Sequence, residues 1–333
     1  MEPGRTEPDQ ADLVGDKQTV VYIVGSGRSG STLLERILGA VPGFCNVGEL
    51  VDLFTRVAVE NQRCGCGEAF AECPFWTAVG EEAFGEWSPT LIHDIGSLKS
   101  SVVRQRFIPY LMQPHLAPAS FAERLRDYQD AYGKLYRAVQ QVSGARVIVD
   151  ASKWPAQLLA MRQIETLDVR LVHLVRDPRG VAYSWSKANV NLPQHDGNRL
   201  MRTYDPPRSA AVWATFQMEA ALLRGLTAHS TTVRYEDMVS DPRGALERLL
   251  ERIGLPAGPD SLSHVDSASV TLERSHGIAG NRSRFTTGRI PVHLDDEWRS
   301  ALPAAHRRVV TAVTLPQLAA YGYLPPTARR RAR

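Results

Sequence analysis

The segment from Thr19 to Leu38 constrains the fold of this chain more than any other stretch of the sequence. A run of β-branched and aromatic residues from Thr19 to Val24 predicts a buried strand, which ends in a glycine-rich turn at Gly25. From Ser31 onward the apolar residues recur at helical spacing, so the turn opens directly into a helix. Unpaired backbone N–H groups and the positive end of the helix dipole then point at one spot. The segment therefore predicts a phosphate site.

The turn fits two phosphate-binding patterns. Three of its glycines spell GxGxxG, the dinucleotide fingerprint, and Glu49 lies near the position of the ribose-binding acid. The same turn, followed by Ser31 and Thr32, also spells a P-loop in which Ser31 occupies the lysine position. Hydroxyls in the first helical turn suit phosphate contacts, and the next apolar run, 44–47, is short for a Rossmann strand, so the P-loop is favoured. Because the Walker lysine is missing, we expect a loop with Arg28 that binds a phosphate carrying no γ group.

Composition places the chain among globular proteins. Its 333 residues are 43% hydrophobic, and 39 basic against 36 acidic residues give a net charge of +3. That excess suits an anionic ligand and falls short of the charge typical of nucleic-acid binding. No apolar run approaches ~18 residues, and the start of the chain is polar, so we expect neither a membrane span nor a signal peptide, and a cytoplasmic protein. We expect a disordered tail at 1–17, one α/β domain at 18–326 and a basic tail at 327–333.

Polar residues follow the next predicted strands. The short strand 44–47 delivers Glu49 to its carboxyl end, and the strand from Val147 to Val149 leads to Lys153. In open α/β sheets this edge faces the ligand crevice. Glu49 is a candidate general base, or alternatively a surface residue that caps a helix over 50–59. Lys153 is placed to stabilise developing negative charge.

Two later segments carry further candidate phosphate ligands. A strand from Val169 to Val175 leads into Arg176, and Ser184 follows two turns into a helix, so both side chains can face the crevice; a buried ion pair of Arg176 with Asp177 is the structural alternative. The glycine-punctuated basic loop 275–285 can wrap a second phosphate with backbone amides and Arg284, or it is an ordinary exposed turn. The polar stretch 189–207 predicts a mobile loop at the pocket mouth.

Between the second and third strands lie a cysteine segment and a helical stretch. Cys64, Cys66 and Cys73 are close in sequence, with Cys45 upstream. Three cysteines plus a fourth could hold zinc, yet a structural zinc site usually shows two paired knuckles, so a reduced, packed loop is favoured, with a local disulfide on oxidation. Residues 78–142 predict a helical insertion packed over the ligand edge of the sheet.

Together these segments resemble the PAPS-dependent sulfotransferases, in particular the bacterial branch related to tyrosylprotein sulfotransferases. The resemblance covers nearly the whole chain and implies an α/β fold of the P-loop type, with a mostly parallel sheet flanked by helices. Arg176 and Ser184, eight residues apart, resemble the family's 3′-phosphate pair. Tyr235 resembles the tyrosine that approaches the adenine. The remaining cofactor-binding residues implied by the resemblance are the 5′-phosphosulfate loop, Gly27, Arg28, Ser29, Gly30, Ser31 and Thr32, and the late loop, Gly280, Asn281 and Arg284.

The resemblance also implies a chemistry and its residues. PAPS is the expected co-substrate, no metal is expected, and the acceptor is a hydroxyl-bearing small molecule, sugar or peptide. Glu49 matches the family's glutamate base, and Arg28 and Lys153 would neutralise charge on the leaving phosphate. The cytosolic branch has lysine where this chain has Arg28, and it often uses a mid-chain histidine as base. Here His173 lies within a strand and is expected to be buried.

Other functions stay open on the sequence alone. The same fold could serve a non-catalytic nucleotide-binding protein, and an ATP-dependent kinase or a Rossmann dehydrogenase is disfavoured by the arguments given above. The peptide-gripping segment of the tyrosylprotein branch is not recognisable after Glu49, so a protein tyrosine is not a safe acceptor. The sequence leaves the acceptor and the oligomeric state undetermined.

Overall fold

A five-stranded parallel sheet forms the centre of the fold, seen in a computed structural model that describes residues 17–187 and 203–324. The strands are β1 (Gln18–Gly25), β2 (Phe44–Gly48), β3 (Val147–Lys153), β4 (Leu167–Val175) and β5 (Ser230–Arg234). Their order in the sheet is β2-β3-β1-β4-β5, and every pairing is parallel. All five carboxyl ends therefore lie at one edge, and the predicted α/β, mostly parallel fold is confirmed.

Helices cover the sheet, and a small hairpin completes the fold. The helices are α1 (Ser31–Gly39), α2 (Pro74–Phe84), α3 (Pro89–Val102), α4 (Ile108–Met112), α5 (Ala119–Ser143), α6 (Pro155–Met161), α7 (Pro178–Ser186), α8 (Pro206–Leu223), α9 (Tyr235–Ser240), α10 (Pro242–Arg252), α11 (Trp298–Ala301), α12 (Ala304–Val313) and α13 (Leu315–Ala320). The hairpin pairs β6 (Ser269–Leu272) with β7 (Gly288–Pro291). Six of the helices begin at a proline, which has no N–H to leave unpaired and a backbone angle already suited to a helix. No helix in these stretches of chain is long and apolar enough to cross a membrane.

The central strand β1 is apolar along almost its whole length because both of its faces are covered. Val21 and Ile23 pack with α1 and α10, whereas Val20 and Tyr22 pack with the helical insertion. Residues 20–24 are at most 1% exposed. Burial on both faces explains why the strand reads as a continuous β-branched run rather than an alternating one.

The helical insertion comprises α2 to α5 and lies where the sequence predicts it. The predicted range 78–142 corresponds to helices that begin at Pro74 and end at Ser143. Tyr128, Tyr132 and Tyr136 of α5 are fully buried. The hydroxyl of Tyr132 donates to the carbonyl of Leu50 at 2.9 Å, which places the insertion over the edge of the sheet that follows β2.

The segment after β2 differs from the predicted helix over 50–59. A 3-10 turn, Leu50–Asp52, leads into a single π-helical turn, Leu53–Val57. Side chains distant in sequence bond to the first backbone groups of this segment. The Val51 amide donates to Ser152 Oγ at 2.9 Å, and the Tyr132 hydroxyl donates to the Leu50 carbonyl. Because those groups already have partners, a regular α-helical start is not required here.

Part of the sequence-based prediction lies outside the described residues. This holds for the tails at 1–16 and 325–333 and for residues 188–202, most of the predicted mobile loop. The described end of that loop runs directly into α8.

Candidate active site

The loop between β1 and α1 has the backbone that a phosphate cradle needs. Gly25 has φ 146°, and a Cβ there would lie 2.3 Å from the carbonyl oxygen of Leu174. Gly30 has φ 90°, and its Cβ would lie 2.7 Å from the ring of Tyr235. Both positions therefore require glycine for conformation and for packing. Arg28 adopts φ 70°, a left-handed conformation that is costly for a residue with a side chain.

Unsatisfied polar groups of this loop converge at the start of α1. Ser29 is 1% exposed, and its hydroxyl has no hydrogen-bond partner in the parts of the chain that the structure describes. Ser31 and Thr32 are buried in the first turn of α1, where the backbone amides have no intrahelical acceptors. A buried hydroxyl without a partner beside open helix amides fits the oxygens of a phosphate group.

Glu49 and Lys153 meet at the carboxyl edge of the sheet, as their positions after β2 and at the end of β3 predict. Lys153 Nζ forms an ion pair with Glu49 Oε1, and the two side chains are 12% and 14% exposed. Lys153, like Arg28, has a left-handed backbone, with φ 68°. The geometry thus brings a carboxylate and an ammonium group together at the crevice, partly shielded from solvent.

A buried polar network lies beneath this pair. Asp150 is completely buried, accepts hydrogen bonds from Tyr136 and from the amide and hydroxyl of Ser152, and has its pKa raised to about 6, chiefly by burial. The Ser152 hydroxyl oxygen in turn accepts a hydrogen bond from the Val51 amide. The network fixes the turn that carries Glu49 relative to the strand that carries Lys153.

A second carboxyl group next to the pair was missed by sequence reasoning. Glu35 on α1 is 3% exposed, and burial raises its pKa to about 8, an effect that the charge of Lys153 opposes and that of Glu49 reinforces. The only signal in the sequence is an acidic residue on the apolar face of α1, between Leu34 and Ile37.

On the other side of the loop, Arg28, Ser184 and Arg176 are brought together. Arg28 Nε donates to Ser184 Oγ at 2.8 Å, and Arg176 Nη1 donates to the backbone oxygen of Arg28 at 3.1 Å. The guanidinium of Arg176 lies 4.5 Å from the ring centroid of Tyr235. The pKa of Arg28 is lowered by burial and then by the charges of Arg176 and Arg282. Positive charges gathered around one buried guanidinium favour an anion among them.

Arg176 does not pair with Asp177, so the structural alternative considered for it is wrong. Arg176 Nη2 pairs with Asp295 Oδ2 at 2.9 Å, whereas Asp177 pairs with Arg179 at 2.6 Å and caps α7. Burial alone would raise the pKa of Asp295, but the hydrogen bond and charge of Arg176 bring it below its usual value. Asp295 was not anticipated from the sequence because it lies 119 residues from Arg176.

The late loop 275–285 contacts both halves of the site. The Glu49 amide donates to the carbonyl of Ile278 at 3.0 Å, and the Asn281 amide donates to Thr32 Oγ1 at 3.2 Å. A Cβ on Gly280 would lie 3.1 Å from Thr32 Oγ1 and 3.2 Å from Glu49 Oε1. Gly280 therefore lies between the phosphate loop and the candidate base, in a space that any larger residue would fill.

Arg284 is bonded within the late loop and its surroundings rather than open to the crevice. It is 1% exposed and donates to the backbone carbonyls of Ala279 and Arg63, and burial lowers its pKa to about 10. In this arrangement its guanidinium supports the late loop from inside. The exposed cation of this loop nearest to Arg28 is Arg282, which sequence reasoning did not single out.

His173 is completely buried, as predicted, and does not belong to the site. Its Nε2 contacts Gln217, and burial lowers its pKa to about 4. The carboxyl groups at the crevice are therefore better placed than this imidazole to receive a proton.

Comparison with known proteins identifies the family of this chain. A family model described as the sulfotransferase family matches residues 21–259. The chain belongs to this family. The predicted family is thereby confirmed, and the chain is a transferase by family.

Curated relatives of this sulfotransferase include carbohydrate sulfotransferases. Carbohydrate sulfotransferase 6 of Homo sapiens is 28% identical over 172 residues, which cover 48% of this chain and 42% of that protein. Carbohydrate sulfotransferase 2 of Homo sapiens is 23% identical over 93% of this chain and 66% of that protein. The chain thus matches less than two thirds of the length of each of these relatives.

A solved structure shares the architecture. The sulfotransferase domain from the Synechococcus PCC 7002 olefin synthase superposes with a TM-score of 0.50 at 20% identity, covering 93% of this chain and 96% of that one. At that identity the likeness concerns the fold alone. The roles of individual site residues stay predictions that rest on the geometry described above.

Proposed function

We propose that this sulfotransferase transfers a sulfuryl group from PAPS to a hydroxyl acceptor. The observation that carries the proposal is the placement of two separate charged groups around one phosphate loop. The Glu49–Lys153 pair lies on one side. The Arg28–Ser184–Arg176 cluster lies on the other. A nucleotide that bears phosphates at both its 3′ and 5′ ends needs two such regions.

The residues fit this nucleotide in distinct ways. The loop amides with Ser29, Ser31 and Thr32 would hold the 5′-phosphosulfate, consistent with the partnerless buried hydroxyl of Ser29. Arg176 and Ser184 would bind the 3′-phosphate. The remaining proposed contacts are Gly27, Gly30 and Tyr235 beside the loop and Gly280 and Asn281 above it. Arg284 would act through the late loop, since its guanidinium already bonds to Ala279 and Arg63.

The proposed chemistry needs one proton acceptor and several cations. PAPS supplies a sulfuryl group already activated by its bond to phosphate. The acceptor oxygen forms a bond to sulfur as the bond from sulfur to the phosphate oxygen breaks, and the hydroxyl proton passes to Glu49. Lys153 and Arg28, with the loop amides, offset the negative charge that develops on the leaving phosphate. Lys153 would also hold the Glu49 carboxylate in the crevice before the acceptor arrives.

We propose a sugar hydroxyl as the first acceptor to examine. The support is the group of carbohydrate sulfotransferases among the curated relatives. Gly280 places no side chain against the base, where a Cβ would lie 3.2 Å from Glu49 Oε1.

Ligand-dependent thermal stability tests the nucleotide. We expect PAP, the desulfated product, to raise the melting temperature by roughly 5 °C at a hundredfold excess over its Kd, because only the folded state binds it. ATP with magnesium and NAD should each give a much smaller shift, measured by the same thermal-shift assay. A larger shift with ATP and magnesium would contradict the proposal and favour a kinase.

Turnover separates an enzyme from a binding protein of the same fold. With PAPS and a panel of mono- and oligosaccharides, we expect release of PAP that depends on the sugar. Tight PAP binding without transfer to any sugar, phenol or alcohol would indicate a non-catalytic nucleotide-binding protein.

A further inference from the structure

We propose that Cys64, Cys66, Cys73 and His276 bind one Zn²⁺ ion, which joins the cysteine segment to the late loop. The four potential ligand atoms, three sulfurs and one imidazole nitrogen, all lie within 4.8 Å of one another. Three cysteines and one histidine are a common ligand set of structural zinc sites. The fourth ligand comes from a loop about 200 residues further along the chain, which is why the sequence shows only one knuckle.

Three of the six distances between the ligand atoms are close to those of a tetrahedral site. Cys66 Sγ lies 3.6 Å from Cys73 Sγ. His276 Nδ1 lies 3.3 Å from Cys73 Sγ and 3.7 Å from Cys64 Sγ. Zn–S bonds of about 2.3 Å and Zn–N bonds of about 2.0 Å at tetrahedral angles separate sulfur from sulfur by roughly 3.8 Å and sulfur from nitrogen by roughly 3.5 Å. These three separations are close to those between the ligands of a zinc ion, and all four atoms lie within 4.8 Å of one another.

Cysteine binds zinc as the thiolate. Zinc binding at this cluster would therefore release the thiol protons to solvent.

The surroundings of His276 hold its ring in position for binding. The ring stacks on Phe75 with centroids 4.7 Å apart and an angle of 12° between the planes. Trp76 Nε1 donates to the His276 carbonyl at 2.9 Å, and the Gly65 amide donates to the Gly277 carbonyl at 3.0 Å. Neighbours that fix the orientation of a ligand histidine are typical of metal sites.

Cys45 is not part of this cluster. It lies on β2, outside the group of four, and its pKa is raised to about 11 by burial. The zinc alternative considered for the sequence took Cys45 as the fourth cysteine, whereas the structure assigns that place to His276. Cys45 therefore offers a matched control, a partly buried thiol outside the proposed site.

The position of the site gives the ion a structural role. His276 lies four residues before Gly280, whose Cα carries no side chain between Thr32 and Glu49. An ion that fixes His276 to the cysteine segment would hold the late loop against the phosphate loop. The zinc proposal does not depend on the identity of the nucleotide, because metal content is measured without it.

Metal analysis of the full-length chain tests the proposal. We expect close to one zinc per chain by elemental analysis after purification without chelator or added metal. Cys73→Ser should lose most of that zinc, and Cys45→Ser should keep it. Less than about a fifth of an equivalent in the wild type after reconstitution with Zn²⁺, or equal loss in both variants, would overturn the proposal.

Two further measurements guard against a variant that fails to fold. Wild-type protein stripped by a chelator should bind one Co²⁺ with the visible ligand-field absorption of a tetrahedral, sulfur-rich site, and Zn²⁺ should displace it. Thiol titration in denaturant should find four free cysteines. Two missing thiols, together with no Co²⁺ absorption, would instead show a disulfide within the cluster.

Discussion

Replacing Glu49 by glutamine is expected to lower kcat for sulfuryl transfer by about 10²–10⁴-fold, the usual contribution of a general base. The amide keeps the size of the side chain and its place near Lys153, but it accepts no proton from the acceptor hydroxyl. Affinity for PAP should change little, since the proposed nucleotide contacts are the loop and the Arg28–Ser184–Arg176 cluster, which do not include Glu49. Steady-state turnover and PAP titration by calorimetry measure the two quantities on the same preparation.

Two carboxyl variants sharpen this experiment. Glu86→Gln removes the same charge from an exposed surface position and should leave kcat unchanged. Glu35→Gln addresses the second carboxyl group near Lys153, which lies buried on α1 with its pKa raised to about 8. If Glu49→Gln retains turnover while Glu35→Gln abolishes it, the base has been assigned to the wrong glutamate.

Replacing Arg176 by alanine is expected to weaken PAP binding by roughly 10- to 100-fold, the loss typical of a charge-assisted hydrogen bond. Affinity for adenosine 5′-phosphate, which lacks the 3′-phosphate, should fall much less. The comparison of the two nucleotides matters because Arg176 also pairs with Asp295 and packs on Tyr235, so its removal disturbs the site itself. General damage lowers both affinities, whereas loss of a phosphate contact lowers only one.

Equal loss of both nucleotides would show that the 3′-phosphate site has been misplaced. Arg137→Ala is the matched control, because this arginine is exposed on α5. It should leave both affinities unchanged. Melting temperatures of the unliganded variants report whether Arg176→Ala has altered the fold.

The sheet was predictable because its strands carry local signals. β1 is a nearly continuous apolar run, and β4 alternates apolar with polar residues over its first half before an apolar end. The turn after Glu49 was not predictable, because its backbone forms hydrogen bonds with side chains more than 80 residues away. Val51 bonds to Ser152, and Leu50 bonds to Tyr132. Local propensity cannot report hydrogen bonds that are supplied by distant parts of the chain.

Some residues of the candidate site were predictable from the sequence and others were not. Glu49, Lys153 and Arg176 follow strands, and the rule that parallel strands end at one edge brings them to the crevice. Glu35 and Asp295 were missed because neither lies in a recognisable motif, and their significance depends on burial and on charged neighbours. His276 is recognised as a possible ligand only when the late loop is seen to pack on the cysteine segment. That is a tertiary property without a local signature.

The left-handed backbones of Arg28 and Lys153 imply a conflict between thermal stability and activity. Such conformations cost a side-chain-bearing residue of order 1–3 kcal/mol each, and the surrounding structure must compensate for that cost. Both residues are cations that the proposed reaction requires. Selection of variants for heat resistance alone would therefore favour glycine at these two positions. The selected protein would have a higher melting temperature but would lack the two positive charges beside its phosphate loop. If the proposed roles hold, two residues needed for the reaction also limit the melting temperature through their backbone conformations.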